Sequence, residues 1–187
     1  YKFGCSLGQY DLPSRKGVTM FQENDLIYYG NTGVCRVVEV GYPPSKAPGK
    51  AGQLYYKLDP LYETGMIYVP VDTPVFMRPI ITREQAQTFL STLSDVKEDE
   101  FTSQRRAEMM DHYRSLLHAH SCESLAQLIK TLGNKARFSV LGRHLSAAEQ
   151  EYKKRAENLL YGELAVALGL STPEDAAALA GPALCNF

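Results

Sequence analysis

The sequence predicts an α+β protein: a small Tudor- or SH3-like β-barrel towards the N-terminus, followed by an all-α unit. Three observations carry this reading. The blocks 21–40 (FQENDLIYYGNTGVCRVVEV) and 54–73 (LYYKLDPLYETGMIYVPVDT) alternate apolar and polar residues between turn signals. From Thr82 onward the spacing changes to that of capped amphipathic helices. At 187 residues the chain holds two such units, each large enough for a modest core.

The strands follow in order. Asp25–Gly30 alternates weakly and ends at Asn31-Thr32-Gly33, where Asn and Gly tolerate the positive φ of a tight turn. Val34–Val40 is rich in β-branched residues and predicts a strand. The loop 42–52 (YPPSKAPGKAG) is dense in proline and glycine and is expected to be extended. Leu54–Asp59 and Met66–Val71 supply two more strands, and Val75–Arg78 a short fifth. Five short, locally linked strands usually curl into a small barrel.

The helices are marked more sharply. Thr82-Arg83-Glu84-Gln85 is a capping box, with Ala86, Phe89, Leu90 and Leu93 following at i, i+3, i+4 and i+7. A helix over about residues 100–118 puts Met109, Tyr113, Leu116 and Leu117 on one face. Ser121 caps a third, carrying Leu125, Leu128, Ile129 and Leu132, which Gly133 is expected to stop. Ser146-Ala147-Ala148-Glu149 opens a long fourth with the stripe Tyr152, Ala156, Leu159, Leu160 and Leu164, ended by Gly169. Thr172-Pro173 begins a short fifth, which Gly181-Pro182 is expected to close. No stretch approaches the ~18–20 apolar residues of a membrane helix, and no secretory signal is apparent. Residues 1–19 read as a leader or cloning remnant and are assigned no function.

Catalytic and metal chemistry find little support. Cys5, Cys35, Cys122 and Cys185 are scattered, which fits reduced thiols in a cytoplasm better than a disulfide framework. His112, His118, His120 and His144 form no zinc-like spacing, and surface histidines are the plainer explanation. There is no nucleophile elbow, and the glycines of the 42–52 loop lead into a strand, without the helix dipole that holds phosphate. The expectation is therefore a binding protein with no cofactor, no metal and no small-molecule substrate.

Two surface features point to binding. Tyr28, Tyr29, Tyr55, Tyr56, Tyr62 and Tyr68 all fall in the β unit. Strand alternation turns one ring of each Tyr-Tyr pair inward and its neighbour outward, and an exposed tyrosine row beside an open edge suits recognition by strand addition. The whole chain carries a net charge of −1, yet Lys130, Lys135, Arg137, Arg143, Lys153, Lys154 and Arg155 face only Glu149 and Glu151 between positions 130 and 155, a local balance of +5. Such a cluster suits sequence-independent contact with DNA phosphates, although a solvated helix face explains part of it. Arg105, Arg106 and Arg114 add a second basic strip, and the acidic run Asp95–Glu100 reads as a solvated linker.

The succession Phe21-x-x-x-Asp25, Gly33-Val34, Val37-x-Glu39, Tyr55-Tyr56, Ile67-Tyr68-Val69-Pro70-Val71 and Arg78-x-Ile80 resembles the CarD/CdnL family of bacterial transcription regulators. The transcription-repair coupling factor carries the same module. In the helical half, Leu145-Ser146-x-x-Glu149 and Ala156-x-x-Leu159-Leu160-x-x-Glu163-Leu164 resemble the family's last long helix. The resemblance implies a Tudor-like RNA polymerase-interacting domain with a trailing helix over residues 20–95, and a helical DNA-contacting domain over 96–187.

The implied partners are the RNA polymerase β subunit and promoter DNA, with the open complex stabilised in a bacterial, nucleoid-associated setting and no membrane contact. The polymerase contact would run along a strand edge near Tyr55, Tyr56 and Lys57, and Ile67, Tyr68, Val69 and Pro70. DNA would meet Arg105, Arg106, Lys130, Lys135, Arg137, Arg143, Lys153 and Lys154. Two positions depart from the family. Its tryptophan wedge has no counterpart, the region Ser103–Met109 offering Arg105 and Arg106 instead, and Gln150 stands where some members carry a base. A protein-only adaptor is the alternative.

Overall fold

The computed structural model of the chain describes residues 21–42, 53–137 and 145–184. The expectations placed on residues 1–19, on the loop at 43–52, on Arg143 and on the cysteines at 5 and 185 lie outside these residues.

The predicted strands form in the predicted order: β1 (Leu26–Tyr29), β2 (Gly33–Gly41), β3 (Tyr55–Pro60), β4 (Ile67–Pro70) and β5 (Met77–Pro79). Gly33 closes the β1–β2 turn at φ +85°, and a Cβ there would lie 3.1 Å from Leu159 Cδ2, so both backbone and space require glycine. All neighbouring strands are antiparallel, in the order β4-β3-β2-β1-β5. The expected closure into a barrel is not seen. β4 and β5 are the two edges of an open sheet, and at four and three residues they offer few groups for a closing ladder.

Alternation sends the two faces of the sheet to different cores. Ile27, Cys35, Val37, Tyr56, Leu58 and Val69 gather with Phe21 in a small cluster on one face. On the other, Tyr28 leaves its neighbours Ile27 and Tyr29 and packs among the helices. The β1 strand is thus buried on both faces, because the helical unit covers that end of the sheet. Of the tyrosine pairs, Tyr55 and Tyr56 are both buried, so one inward and one outward ring does not describe that pair.

The helices are α1 (Arg83–Thr92), α2 (Arg106–His118), α3 (Cys122–Arg137), α4 (Ala147–Leu168) and α5 (Pro173–Leu184), with a 3₁₀ turn at Leu93–Asp95. Both capping boxes form, at Thr82 with Gln85 and at Ser146 with Glu149. Gly169 takes φ +71° and stops α4 as expected. Two stops fail. α3 runs through Gly133 to Arg137, since burial of Leu132 and Asn134 on either side outweighs glycine's propensity cost of about 1 kcal/mol. α5 likewise continues past Gly181-Pro182, which falls in its last turn.

The expected linker is a strap instead. α2 begins at Arg106, later than predicted, and the acidic run before it is pinned across α3. Lys130 Nζ donates to the carbonyls of Ser94 (3.2 Å) and Val96 (2.7 Å), Asn134 donates to Glu98, and Thr131 Oγ1 accepts from the Asp99 N–H at 2.9 Å. The Asp99 carboxylate sits against the His112 ring. α1 belongs to the helical core, where Ala86, Phe89 and Leu93 are buried with Leu125, Leu160 and Leu164.

A second polar clamp joins α3 to α4. Lys135 pairs with Glu149, which also accepts from the Ser146 N–H and hydroxyl. Burial would raise the Glu149 pKa, but the bonds from Lys135 and Ser146 outweigh it and hold the carboxyl below its ordinary 4.5. The Glu149 hydrogen bond, working against burial, holds Lys135 above 10.5. A lowered acid pKa gives stability that is complete above about pH 4.5 and is lost as the pH falls through the folded value. The lysine's share fades only above pH 10.5. Thermal melts between about pH 7 and pH 3 are expected to show a smaller acid loss in Glu149→Gln than in the unaltered chain.

Candidate functional site

β4 is one of the sheet's two edge strands, and its side away from β3 carries no ladder among the described residues. Its register against β3 pairs Tyr56 with Val69 and Lys57 with Tyr68. The Val71 N–H bonds to the Leu54 carbonyl at 3.0 Å, which marks Val71–Leu54 as a hydrogen-bonded pair. Alternation along an antiparallel ladder then turns the backbone groups of Val69 and Ile67 inward to β3 and those of Tyr68 and Pro70 outward. Pro70, having no N–H, occupies a position where the ladder needs none. Tyr68 thus offers both an N–H and a carbonyl to an incoming strand.

The side chains agree. Ile67 and Val69 turn towards the sheet core, whereas Tyr68 is 40% exposed and Lys57 Nζ lies 6.0 Å from its ring centroid. Met66 beside it is exposed as well. Of the residues expected at the polymerase contact, Ile67, Tyr68, Val69 and Pro70 form the edge. Tyr55, Tyr56 and Lys57 do not, because β3 is paired on both sides, to β2 and β4, and only Lys57 reaches the surface.

The predicted basic residues are dispersed. Lys130 is 5% exposed and its ammonium is committed to the strap's carbonyls, so it is not presented to a phosphate. Lys135 is engaged by Glu149, and Lys153 by Glu157 one turn on. Arg105 is 82% exposed but pairs with Glu108, and Arg106 is exposed at the first turn of α2. Arg137 is exposed at the end of α3. Lys154 and Arg155 line a cleft of about 740 Å³ between the sheet and α4, together with Asn31, Glu63, Glu151 and Glu174, so acids share that space with the bases.

The seam between the two units brings together Tyr28, Arg78, His120, Cys122 and Glu163, which pattern reading named separately but did not connect. Glu163, on the buried stripe of α4, is 0% exposed. One carboxylate oxygen accepts from Arg78 Nη1 and from the Ile81 N–H at 3.0 Å; the other accepts from Arg78 Nη2 at 2.8 Å and lies 3.8 Å from Cys122 Sγ. Arg78 Nη2 also donates to the His120 carbonyl at 3.2 Å, and the guanidinium lies 4.5 Å from the centre of the Tyr28 ring. Phe76 stacks on His120 with centroids 4.5 Å apart. Burial first, and the Glu163 carboxylate next, push the Cys122 thiol up to about 12 and the Tyr28 phenol well above its ordinary 10.0. Both therefore stay protonated at neutral pH. The available signal was a lone acid at position 163, among Leu159, Leu160 and Leu164, because an acid on a buried stripe needs a partner.

Among the described residues no group of His, Cys, Asp and Glu is arranged to hold a metal, and no helix is long and apolar enough to cross a membrane. No curated protein matches the sequence. Residues 21–81 match the family model of the CarD-like/TRCF RID domain. The match spans the five strands and ends at Ile81, one residue before the α1 cap, so the chain carries a CarD-like RNA polymerase-interacting domain.

Proposed function

We propose that the protein is a non-enzymatic transcription regulator that docks on RNA polymerase by adding a polymerase strand to β4. The outward backbone of Tyr68, flanked by Met66, Lys57 and Pro70, carries this reading, since main-chain pairing gives affinity and flanking side chains give selectivity. The polymerase β subunit is the partner the resemblance implies. In the same reading, Arg106, Arg137 and Lys154 hold promoter DNA by its backbone and favour the open complex in a bacterial cytoplasm. A few phosphate contacts suffice when polymerase holds the template nearby.

A protein-only adaptor is the second reading. It is favoured by the commitment of Lys130, Lys135 and Lys153 to acceptors within the chain. The two separate on one measurement, promoter binding by the polymerase–protein complex across salt concentrations. With DNA contact, affinity falls as salt rises, with a slope of roughly −1 per phosphate neutralised. The triple variant Arg106→Glu, Arg137→Glu, Lys154→Glu then flattens the dependence while polymerase binding persists. A salt response identical in the unaltered chain and the triple variant selects the adaptor.

A further inference from the structure

We infer that Arg78 and Glu163 are positioning residues, whose buried fork locks the helical unit to the sheet at one angle and fixes the separation between the β4 edge and the helical surface. The use made of that separation rests on the polymerase-docking reading, but the lock itself does not. Four segments meet at Glu163: β5 through Arg78, the lead into α1 through the Ile81 N–H, the start of α3 through Cys122, and α4 itself. Arg78 adds the α2–α3 turn through the His120 carbonyl.

The packing around the pair is close. Tyr62 Oη donates to the Gly162 carbonyl at 3.4 Å, and a Cβ at Gly162 would lie 3.0 Å from the Tyr62 ring. Gly33 meets Leu159 in the same way. A bidentate pair whose carboxylate is fully buried resists sliding further, because displacement leaves that charge desolvated and unpaired. Lysine in place of Arg78 would keep the charge but lose the planar fork. The molecule is on this view a rigid caliper, in contrast to two units on a loose tether.

The test measures the inter-unit distance by pulsed electron spin resonance in the full chain, labelled at Glu39→Cys and Gln150→Cys. Both positions are exposed, Cys35 and Cys122 are buried, and Cys5→Ser and Cys185→Ser clear the rest. The unaltered pair is expected to give one narrow distance. Arg78→Lys, Glu163→Gln and the apolar double variant Arg78→Met/Glu163→Leu are expected to give broadened or shifted ones. The double variant guards against loss of fold, since an apolar pair of similar volume leaves no buried charge. Promoter output is expected to fall about tenfold or more in the same variants as the fixed effective concentration is lost, with polymerase affinity unchanged. An unchanged distance in a cooperatively melting double variant overturns the inference. Failure of the unaltered chain to bind polymerase would instead sink the docking reading and leave the distance result standing.

Discussion

Glu163→Ala is expected to lower the unfolding free energy of the full chain by about 3 kcal/mol or more, roughly 10 °C in Tm. The carboxylate is fully buried and accepts both Nη groups of Arg78 and the Ile81 N–H. Removing it strands a guanidinium whose side chain is 23% exposed, too little for water to replace the lost partner. Burial would by itself depress the Arg78 pKa, but the Glu163 bonds outweigh it and hold the group above its ordinary value. Alanine also leaves a cavity on the stripe shared with Leu160 and Leu164. Arg78→Met/Glu163→Leu is expected to cost far less than either charge-stranding single change, and a double-mutant cycle in chemical denaturation reads the coupling directly. A loss below about 1 kcal/mol in Glu163→Ala would mean that the pair is effectively solvated.

Tyr68→Pro is expected to weaken polymerase binding about tenfold or more while leaving the sheet intact. The Tyr68 N–H points away from β3, so proline there removes a donor that only an added strand would use. One lost backbone bond with an unmet partner carbonyl is worth about 1–3 kcal/mol, or about tenfold in affinity for each 1.4 kcal/mol. Val69→Pro is the contrasting change. Its N–H belongs to the ladder with Tyr56, and its loss also disturbs the Leu58 and Ile27 core, so the melt itself should suffer. Titration calorimetry with purified polymerase, beside thermal melts of both variants, separates docking from folding. Equal affinity in Tyr68→Pro and the unaltered chain would rule out strand addition at β4.

Local signals served the sequence reading well where the chain itself sets the outcome. The turn at Asn31-Thr32-Gly33, the boxes at Thr82 and Ser146, and the left-handed stop at Gly169 each depend on neighbours a few residues apart. Where distant packing decides, local signals misled. Gly133 and Pro182 look like stops, yet buried neighbours carry their helices onward. Lys130 looked like one base in a patch, but the strap's two carbonyls lie more than thirty residues away in sequence and draw it inside. The edge itself was legible in Ile67–Pro70, though which strand lay outermost was not. Periodicity gives the faces of a strand and says nothing of its place in the sheet. The Arg78–Glu163 pair, 85 residues apart, showed only as two separate positions of the family pattern and as the isolated acid of the α4 stripe.

The family match stops at Ile81, whose N–H is already bonded to Glu163, and the strands before it send Tyr28 into the helices. Any chimera that borrows residues 21–81 alone therefore inherits a raw flank: an aromatic ring, a guanidinium and a glycine hollow with nothing laid over them. A host protein using this block has to bring its own lid. That requirement gives engineers of such grafts a concrete rule for where the cut belongs, beyond the helix that carries position 163.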